Sequence, residues 1–176
     1  MFQGHWDKNL NVKELIETHK PSWVLELGAA GGKNTKALAS MVPVVAIDIG
    51  KCPDHIKRLD NVEWITGVSY LEIQGNTEIE FASVDTDHNG WTLKKELEAL
   101  DKYTREGAVI CMHDTVAFKD TNGFHNGYNG LANYPKKEME EGPTMTEAII
   151  DFINDYHWLP LRTSDESCGA MAIIKA

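Results

Sequence analysis

Nowhere in the 176 residues do 18 consecutive apolar positions occur, which excludes a long membrane-spanning helix. Positive charge is scarce: 17 Lys and Arg stand against 27 Asp and Glu, a formal net charge of −10, and no stretch gathers enough basic residues to track a phosphate backbone. Duplex DNA and long RNA are therefore poor partners. Only three cysteines are present, Cys52, Cys111 and Cys168, odd in number, far apart and without C-x-x-C spacing. Neither a disulfide framework nor a zinc knuckle is suggested, and a reducing cytoplasm is the expected location. Residues 1–13 carry His5, Trp6, Asp7 and Lys8 where an export signal would place an apolar core, so neither secretion nor membrane association is expected. What remains is 42% hydrophobic and 25% charged, the balance of a single soluble globular domain large enough to bury a full core without disulfides.

The hydrophobic pattern alternates short strands with helices. Asn11 and Glu14 have capping-box spacing ahead of Val12, Leu15 and Ile16, and Pro21 stops that helix. Residues 23–27 form an apolar first strand that runs into Gly28-Ala29-Ala30-Gly31-Gly32, after which 34–41 reads as helix. Further strands are expected at 44–47, closed by Asp48, at 62–66, and at 79–84, closed by Asp85; 53–59 suits one or two helical turns. Leu93, Leu97 and Leu100 mark one face of a helix that Asn89 can cap, Gly107 is expected to end that helical region, and 108–112 is a fifth strand. Thr144 and Glu147 form a second capping box, with Ala148, Ile149, Phe152, Ile153 and Tyr156 as the expected buried face. Strands at 158–163 and 170–174 close the chain; the link 164–169 is too short for anything but an antiparallel connection. Nearly continuous apolar strands alternating with helices indicate an α/β fold, a mostly parallel sheet covered on both faces. The stretch 115–142 breaks this rhythm: Asn122-Gly123, Asn126-Gly127 and Asn129-Gly130 sit among aromatics, so it is expected as a long loop and a lid over the site.

Ligands of open parallel sheets bind beyond the carboxyl ends of the strands, and here those ends are chemically rich. The first ends in Glu26 and the glycine cluster, the second in Asp48, the fourth in Asp85-Thr86-Asp87-His88 and the fifth in His113-Asp114. A glycine loop lets backbone approach a ligand and aims helix N–H groups at an anion. Asp48, 22 positions beyond Glu26, stands where an acid can accept hydrogen bonds from both hydroxyls of a ribose. The dinucleotide pattern G-x-G-x-x-G is not met, because Ala30 and Lys33 occupy its second and third glycine positions.

The segment from Glu26 to Thr35 resembles the first motif of class I S-adenosylmethionine-dependent methyltransferases, with Ala30 in place of the commoner middle glycine. Seven strands ending in an antiparallel pair match that family's Rossmann-like sheet. The pair Asp85-Thr86-Asp87-His88 and His113-Asp114 is similar to the DxDH and HD segments of a small-molecule O-methyltransferase subgroup. The resemblance implies S-adenosyl-L-methionine held by Glu26, Gly28, Ala29, Gly32, Thr35, Asp48, Ser69 and Asp85, with Ser69 against adenine. From catechol-type relatives it implies a divalent metal on Asp85, His113 and Asp114. His88 falls where those relatives carry a basic lysine, so His88 and Asp85 are the implied catalytic residues. Magnesium or manganese is the expected ion, though imidazole at His113 suits Mn²⁺, Fe²⁺ or Zn²⁺ better than Mg²⁺.

One methyltransferase domain spanning 1–176 and acting on a small-molecule hydroxyl is thus expected, with no nucleic-acid or membrane partner and with a homo-oligomer left open. Base-methylating relatives carry an Asn/Asp-Pro-Pro-aromatic motif that Asp85-Thr86-Asp87-His88 does not match, and aminopropyl transfer would favour a more acidic pocket. The alternative is a non-catalytic domain that binds the same cofactor, keeping Gly28 and Asp48 but needing neither metal nor His88.

Overall fold

A computed structural model of the chain describes residues 10–74, 78–117, 135–166 and 168–176. Seven strands, β1 (Val24–Leu27), β2 (Val44–Asp48), β3 (Val62–Thr66), β4 (Ile79–Val84), β5 (Thr104–His113), β6 (Trp158–Ser164) and β7 (Ala170–Lys175), form one sheet in the order β3-β2-β1-β4-β5-β7-β6. β7 runs antiparallel to both its neighbours, and the pairs from β3 through β5 are parallel. The helices are α1 (Val12–His19), α2 (Lys33–Ala39), α3 (Ser69–Glu72), α4 (Gly90–Tyr103), α5 (Lys136–Glu140) and α6 (Met145–Asp155).

Successive strand residues point to opposite faces, and both faces are apolar. Val24, Phe81, Val109 and Cys111 join one buried cluster with Leu15, Ile16 and Leu38 of α1 and α2. Their neighbours Leu25, Ala82, Ile110 and Met112 join the other, with Leu93, Leu97 and Leu100 of α4 and Ile149 and Phe152 of α6. The expected doubly covered α/β sheet is therefore the observed one. The strand order reverses between β1 and β4, the position at which an open sheet leaves a crevice at its carboxyl edge.

Three local expectations are corrected. Gly107 does not end a helix: α4 stops at Tyr103 and runs directly into β5, and Gly107 lies inside that strand at φ +78°. Between Ile79↔Thr104 and Phe81↔Val109 the β5 side advances five residues against two on β4, so the glycine serves a bulge, and a β-carbon there would meet no neighbour within 4 Å. Tyr156 is not part of the buried face of α6; it caps the helix at 37% exposure and stacks on Phe152 with ring centroids 5.1 Å apart. The stretch 115–142 is not loop throughout, because α5 occupies Lys136–Glu140; five residues show too little periodicity to be read. The lid expected there falls mostly on 118–134, outside the described residues.

The caps form as their sequences require. Asn89 Oδ1 accepts from Thr92 N–H at 2.9 Å to start α4, and Thr144 and Glu147 satisfy each other's backbone N–H groups to start α6. Among the described residues no helix is long and apolar enough to cross a membrane.

Candidate functional site

The carboxyl ends of β1 to β4 are tied level with one another. Gly28 N–H donates to Ile47 O, Asp85 N–H to Leu27 O and Gly67 N–H to Asp48 O, each at 2.9 Å. Gly28, at φ +83°, lies so near β4 that a β-carbon would sit 2.0 Å from the Asp85 carbonyl oxygen. Only glycine lets these strand ends meet. Asp48 then fixes the loop, its Oδ2 accepting from Ala30 N–H at 2.7 Å and its Oδ1 from Gly50 N–H at 2.6 Å. A carboxylate has about four lone-pair directions, so each oxygen keeps capacity for a ligand hydroxyl.

Ala30 adopts φ +44°, a left-handed conformation that a β-carbon disfavours. The Ala30→Gly variant is expected to be more stable by about 1 kcal/mol, the relieved strain exceeding the added chain entropy of glycine. Denaturant titration checks this; an unchanged or lowered midpoint would show that the loop holds Ala30 without strain. His88 at φ +55° and Asp114 at φ +58° share the conformation, so three strained non-glycine residues gather at this edge of the sheet.

Between these elements opens a cleft of about 360 Å³. Gly28, Ala30 and Asp48 line one side, Ile49, Val68 and Ser69 another, and Asp85, Thr86, Asp87 and His88 the far wall. Of the sequence-predicted residues, Gly28, Asp48, Ser69, Asp85 and His88 thus come together on one cavity. Glu26, Ala29 and Thr35 are 1%, 5% and 0% exposed and are not part of the lining; Gly32 caps α2 at φ +75°. Burial pushes the Glu26 carboxyl up to about 8, an effect that Thr35 beside it partly offsets.

His113 ends β5, Asp114 follows it, and both meet Asp85 and His88 behind the cleft's far wall. His88 Nε2 is 2.6 Å from Asp114 Oδ2 and 3.2 Å from Asp85 Oδ1. His113 Nδ1 lies 3.0 Å from Asp114 Oδ1 and 3.7 Å from Asp85 Oδ1. Burial disfavours the imidazolium of His88, but hydrogen bonds to Asp114 and Asp85 outweigh it and raise the group to about 9. Burial and the neighbouring His88 disfavour the charged form of His113, but its interaction with Asp114 and the charge of Asp85 outweigh them and raise it. Burial also opposes ionisation of Asp114, yet the two histidines hold its carboxyl well below the usual range. One ligand atom from each of Asp85, His113 and Asp114 can be chosen so that all lie within 4.8 Å of one another. Two carboxylates and an imidazole fit a small divalent cation with mixed oxygen and nitrogen preference.

The structure adds one residue that the sequence reading passed over. Glu96 is fully buried on α4 behind the cleft, where Ser69 Oγ donates to its Oε1 and Thr86 Oγ1 donates to its Oε2 at 3.0 Å. Burial pushes it up to about 8 while those hydrogen bonds pull the other way. Its signal was available: a glutamate on the same helical stripe as Leu93, Leu97 and Leu100.

No protein-family model matches the chain, and no curated protein sequence matches it. Solved structures do. An O-methyltransferase from Bacillus cereus in complex with S-adenosylhomocysteine superposes with a TM-score of 0.65 at 17% identity, over 93% of this chain and 79% of that one. The O-methyltransferase TomG from Streptomyces achromogenes, involved in tomaymycin synthesis and bound to S-adenosylmethionine, gives 0.62 at 14%, over 93% and 77%. The N-methyltransferase NodS from Bradyrhizobium japonicum, in complex with S-adenosylhomocysteine, gives 0.60 at 13%, over 97% and 90%. Similarity at this level of identity is similarity of fold: the chain has the Rossmann-like, seven-stranded sheet of S-adenosylmethionine-dependent methyltransferases.

Proposed function

We propose that the chain is an S-adenosylmethionine-dependent methyltransferase that transfers the methyl group to a hydroxyl of a small molecule, with assistance from a divalent metal. The observation that carries this reading is the meeting of two sites on one wall: the cleft bounded by Gly28 and Asp48 also exposes Asp85 and His88. A methyl donor bound there would lie next to the cluster of carboxylates and imidazoles.

Asp48 would accept the ribose hydroxyls, and Ile49 and Val68 would offer apolar surface to the base. The sulfonium already makes the methyl group electrophilic, so the protein's work is to align the acceptor and remove its proton. As the oxygen–methyl bond forms and the sulfur–methyl bond breaks, sulfur keeps the electron pair, and His88 would take the hydroxyl proton in its neutral form. Asp85 and Asp114 keep the ring protonated up to about pH 9, so a cation held by those carboxylates would be needed to favour the neutral form at lower pH. Asp85, His113 and Asp114 would hold the metal, which when bound lowers the pKa of an acceptor hydroxyl.

Release of S-adenosylhomocysteine, measured across phenolic, sugar and natural-product hydroxyls with and without divalent metal, tests the activity. Cofactor affinity tests the cleft directly: Asp48→Ala should weaken S-adenosylhomocysteine binding by about 10- to 100-fold, the loss of roughly 1.5–3 kcal/mol in hydrogen bonds to a charged group. Unchanged calorimetric affinity in that variant would remove Asp48 from the site.

A second reading, a non-catalytic cofactor-binding domain, is favoured by one observation: His88 already bridges both carboxylates as their counter-ion. Metal content separates the two, since this reading expects purified protein with neither bound metal nor metal-stimulated transfer.

A further inference from the structure

Between the end of β4 and the first residue of α4 the chain holds His88 in the left-handed region, at φ +55°. A side chain disfavours that conformation, so it persists only where neighbouring contacts over-determine it. Those contacts are buried: Asp87, Asn89 and Thr92 are 2%, 1% and 1% exposed. Asn89 Oδ1 accepts from Thr92 N–H, which already meets the capping requirement of α4. Asp87 adds bonds that the cap does not need. Its Oδ2 accepts from Asn89 Nδ2 and, at 2.9 Å, from Thr92 Oγ1, so the residues before and after His88 are bonded to each other. Both bonds fall on one oxygen and hold whether or not the other oxygen carries a proton. Beyond the turn Gly90 is pressed against the start of α6, where a β-carbon would sit 2.1 Å from the Pro143 carbonyl oxygen. The backbone is thus fixed on both sides of His88, whose ring reaches Asp114 Oδ2 at 2.6 Å and Asp85 Oδ1 at 3.2 Å.

We propose that Asp87 is a positioning residue, whose bonds to Asn89 and Thr92 hold the His88 backbone in its left-handed turn and thereby keep the imidazole between Asp85 and Asp114. That this serves methyl transfer rests on the reading of His88 as the group that takes the acceptor's proton. The direction of a side chain follows from its backbone: a return of φ from +55° to the ordinary negative range swings the Cα–Cβ bond and carries the ring away from its two carboxylates. At 2% exposure Asp87 offers a ligand little surface, so its removal acts through His88 rather than on what occupies the cleft. Charge is not what the role requires, because a single acceptor oxygen at that place satisfies both donors. Asparagine supplies one; alanine does not.

Two measurements on the full chain test this. The first is the ring N–H signal of His88 in nitrogen-15 NMR at neutral pH, identified by its loss in His88→Gln; a ring donating to a carboxylate makes a strong hydrogen bond whose proton is shifted and slow to exchange. That signal is expected to be lost in Asp87→Ala and kept in Asp87→Asn. The second is methyl transfer: Asp87→Ala is expected to lower kcat about 100-fold, the scale of a reacting group misplaced by about an ångström, with S-adenosylhomocysteine affinity within about threefold and with Asp87→Asn at least about tenfold faster than the alanine variant. Thermal unfolding establishes that each variant is folded. Thr92→Val, which removes one of the two bonds, should move both readouts the same way by less, and it reports if the alanine variant does not fold. An unchanged ring signal in Asp87→Ala and Thr92→Val, even with lowered stability, would make Asp87 a brace for the start of α4 and overturn the proposal. Equal losses in the asparagine and alanine variants would place the role in its charge and overturn it as well. If the wild-type chain transfers methyl to no acceptor while the ring signal responds as expected, the positioning stands and the methyltransferase reading is the one that fails.

Discussion

Asp114→Ala is expected to lower methyl transfer at least about 100-fold while leaving S-adenosylhomocysteine affinity within about threefold. Asp114 is 8% exposed, lies beyond the cleft lining and touches His88 at 2.6 Å and His113 at 3.0 Å. Its removal takes away the nearer carboxylate holding the His88 imidazolium and one of the three groups proposed to bind metal. General acid–base groups contribute roughly 10²- to 10⁴-fold, which sets the size of the loss. Without Asp114 the His88 ring should also titrate closer to its ordinary value, because the hydrogen bond to Asp114 heads the influences that raise it. The pH profile of the residual activity should therefore turn over at lower pH than that of the wild-type chain. Chelation of the wild-type protein should match the variant in rate. A variant, or a verified metal-free protein, that transfers methyl at the full rate would make the cluster a structural ion network.

The ligand-free protein is expected to lose stability steadily as pH rises from about 5 to 9. Glu26 and Glu96 are raised from 4.5 to about 8, chiefly by burial. Each keeps its proton in the fold at pH values where the unfolded chain has released it, so its contribution is full below about 4.5 and is lost as pH climbs through 8. His88, raised from 6.5 to about 9, has the same sign and extends the loss to higher pH. Asp114 has the opposite sign: its carboxyl is lowered, so its contribution is present above 3.8 and disappears in acid. Each raised group adds a slope of up to about 1.4 kcal/mol per pH unit. Glu26→Gln, which cannot ionise, should flatten the profile and at pH 8 be less destabilised than the wild-type chain by roughly 2–4 kcal/mol relative to the two proteins at pH 5. Urea titrations across the range check this, and parallel profiles for the two proteins would mean that Glu26 loses no proton within it.

Strand positions and the class of fold were legible because the central strands carry apolar runs, and a run such as Val24-Leu25 sends alternate residues into two separate cores. The capping residues Asn89 and Thr144 were equally legible, since a cap is settled within four residues of chain. Gly107 and Tyr156 were misread for a common reason. A bulge is defined by the partner strand, and the burial of a helix's last residue by what packs over it, and neither is written locally.

The sequence by itself determined which chemical groups stand at the ends of the strands: the glycine loop, Asp48, Asp85 with His88, and His113 with Asp114. Strand length and turn chemistry are local properties, so those groups had to fall at one edge of a parallel sheet. Only the tertiary structure decided which of them touch. It placed His88 between two carboxylates from different strands, buried Glu26 and Thr35 away from the cleft lining, and brought Glu96, 27 positions from Ser69, behind two hydroxyls of the cleft wall. Those contacts depend on sheet order and on the docking of α4, which arise from burying apolar surface shared by distant segments, and a burial term of that kind has no signature at any one position in the chain.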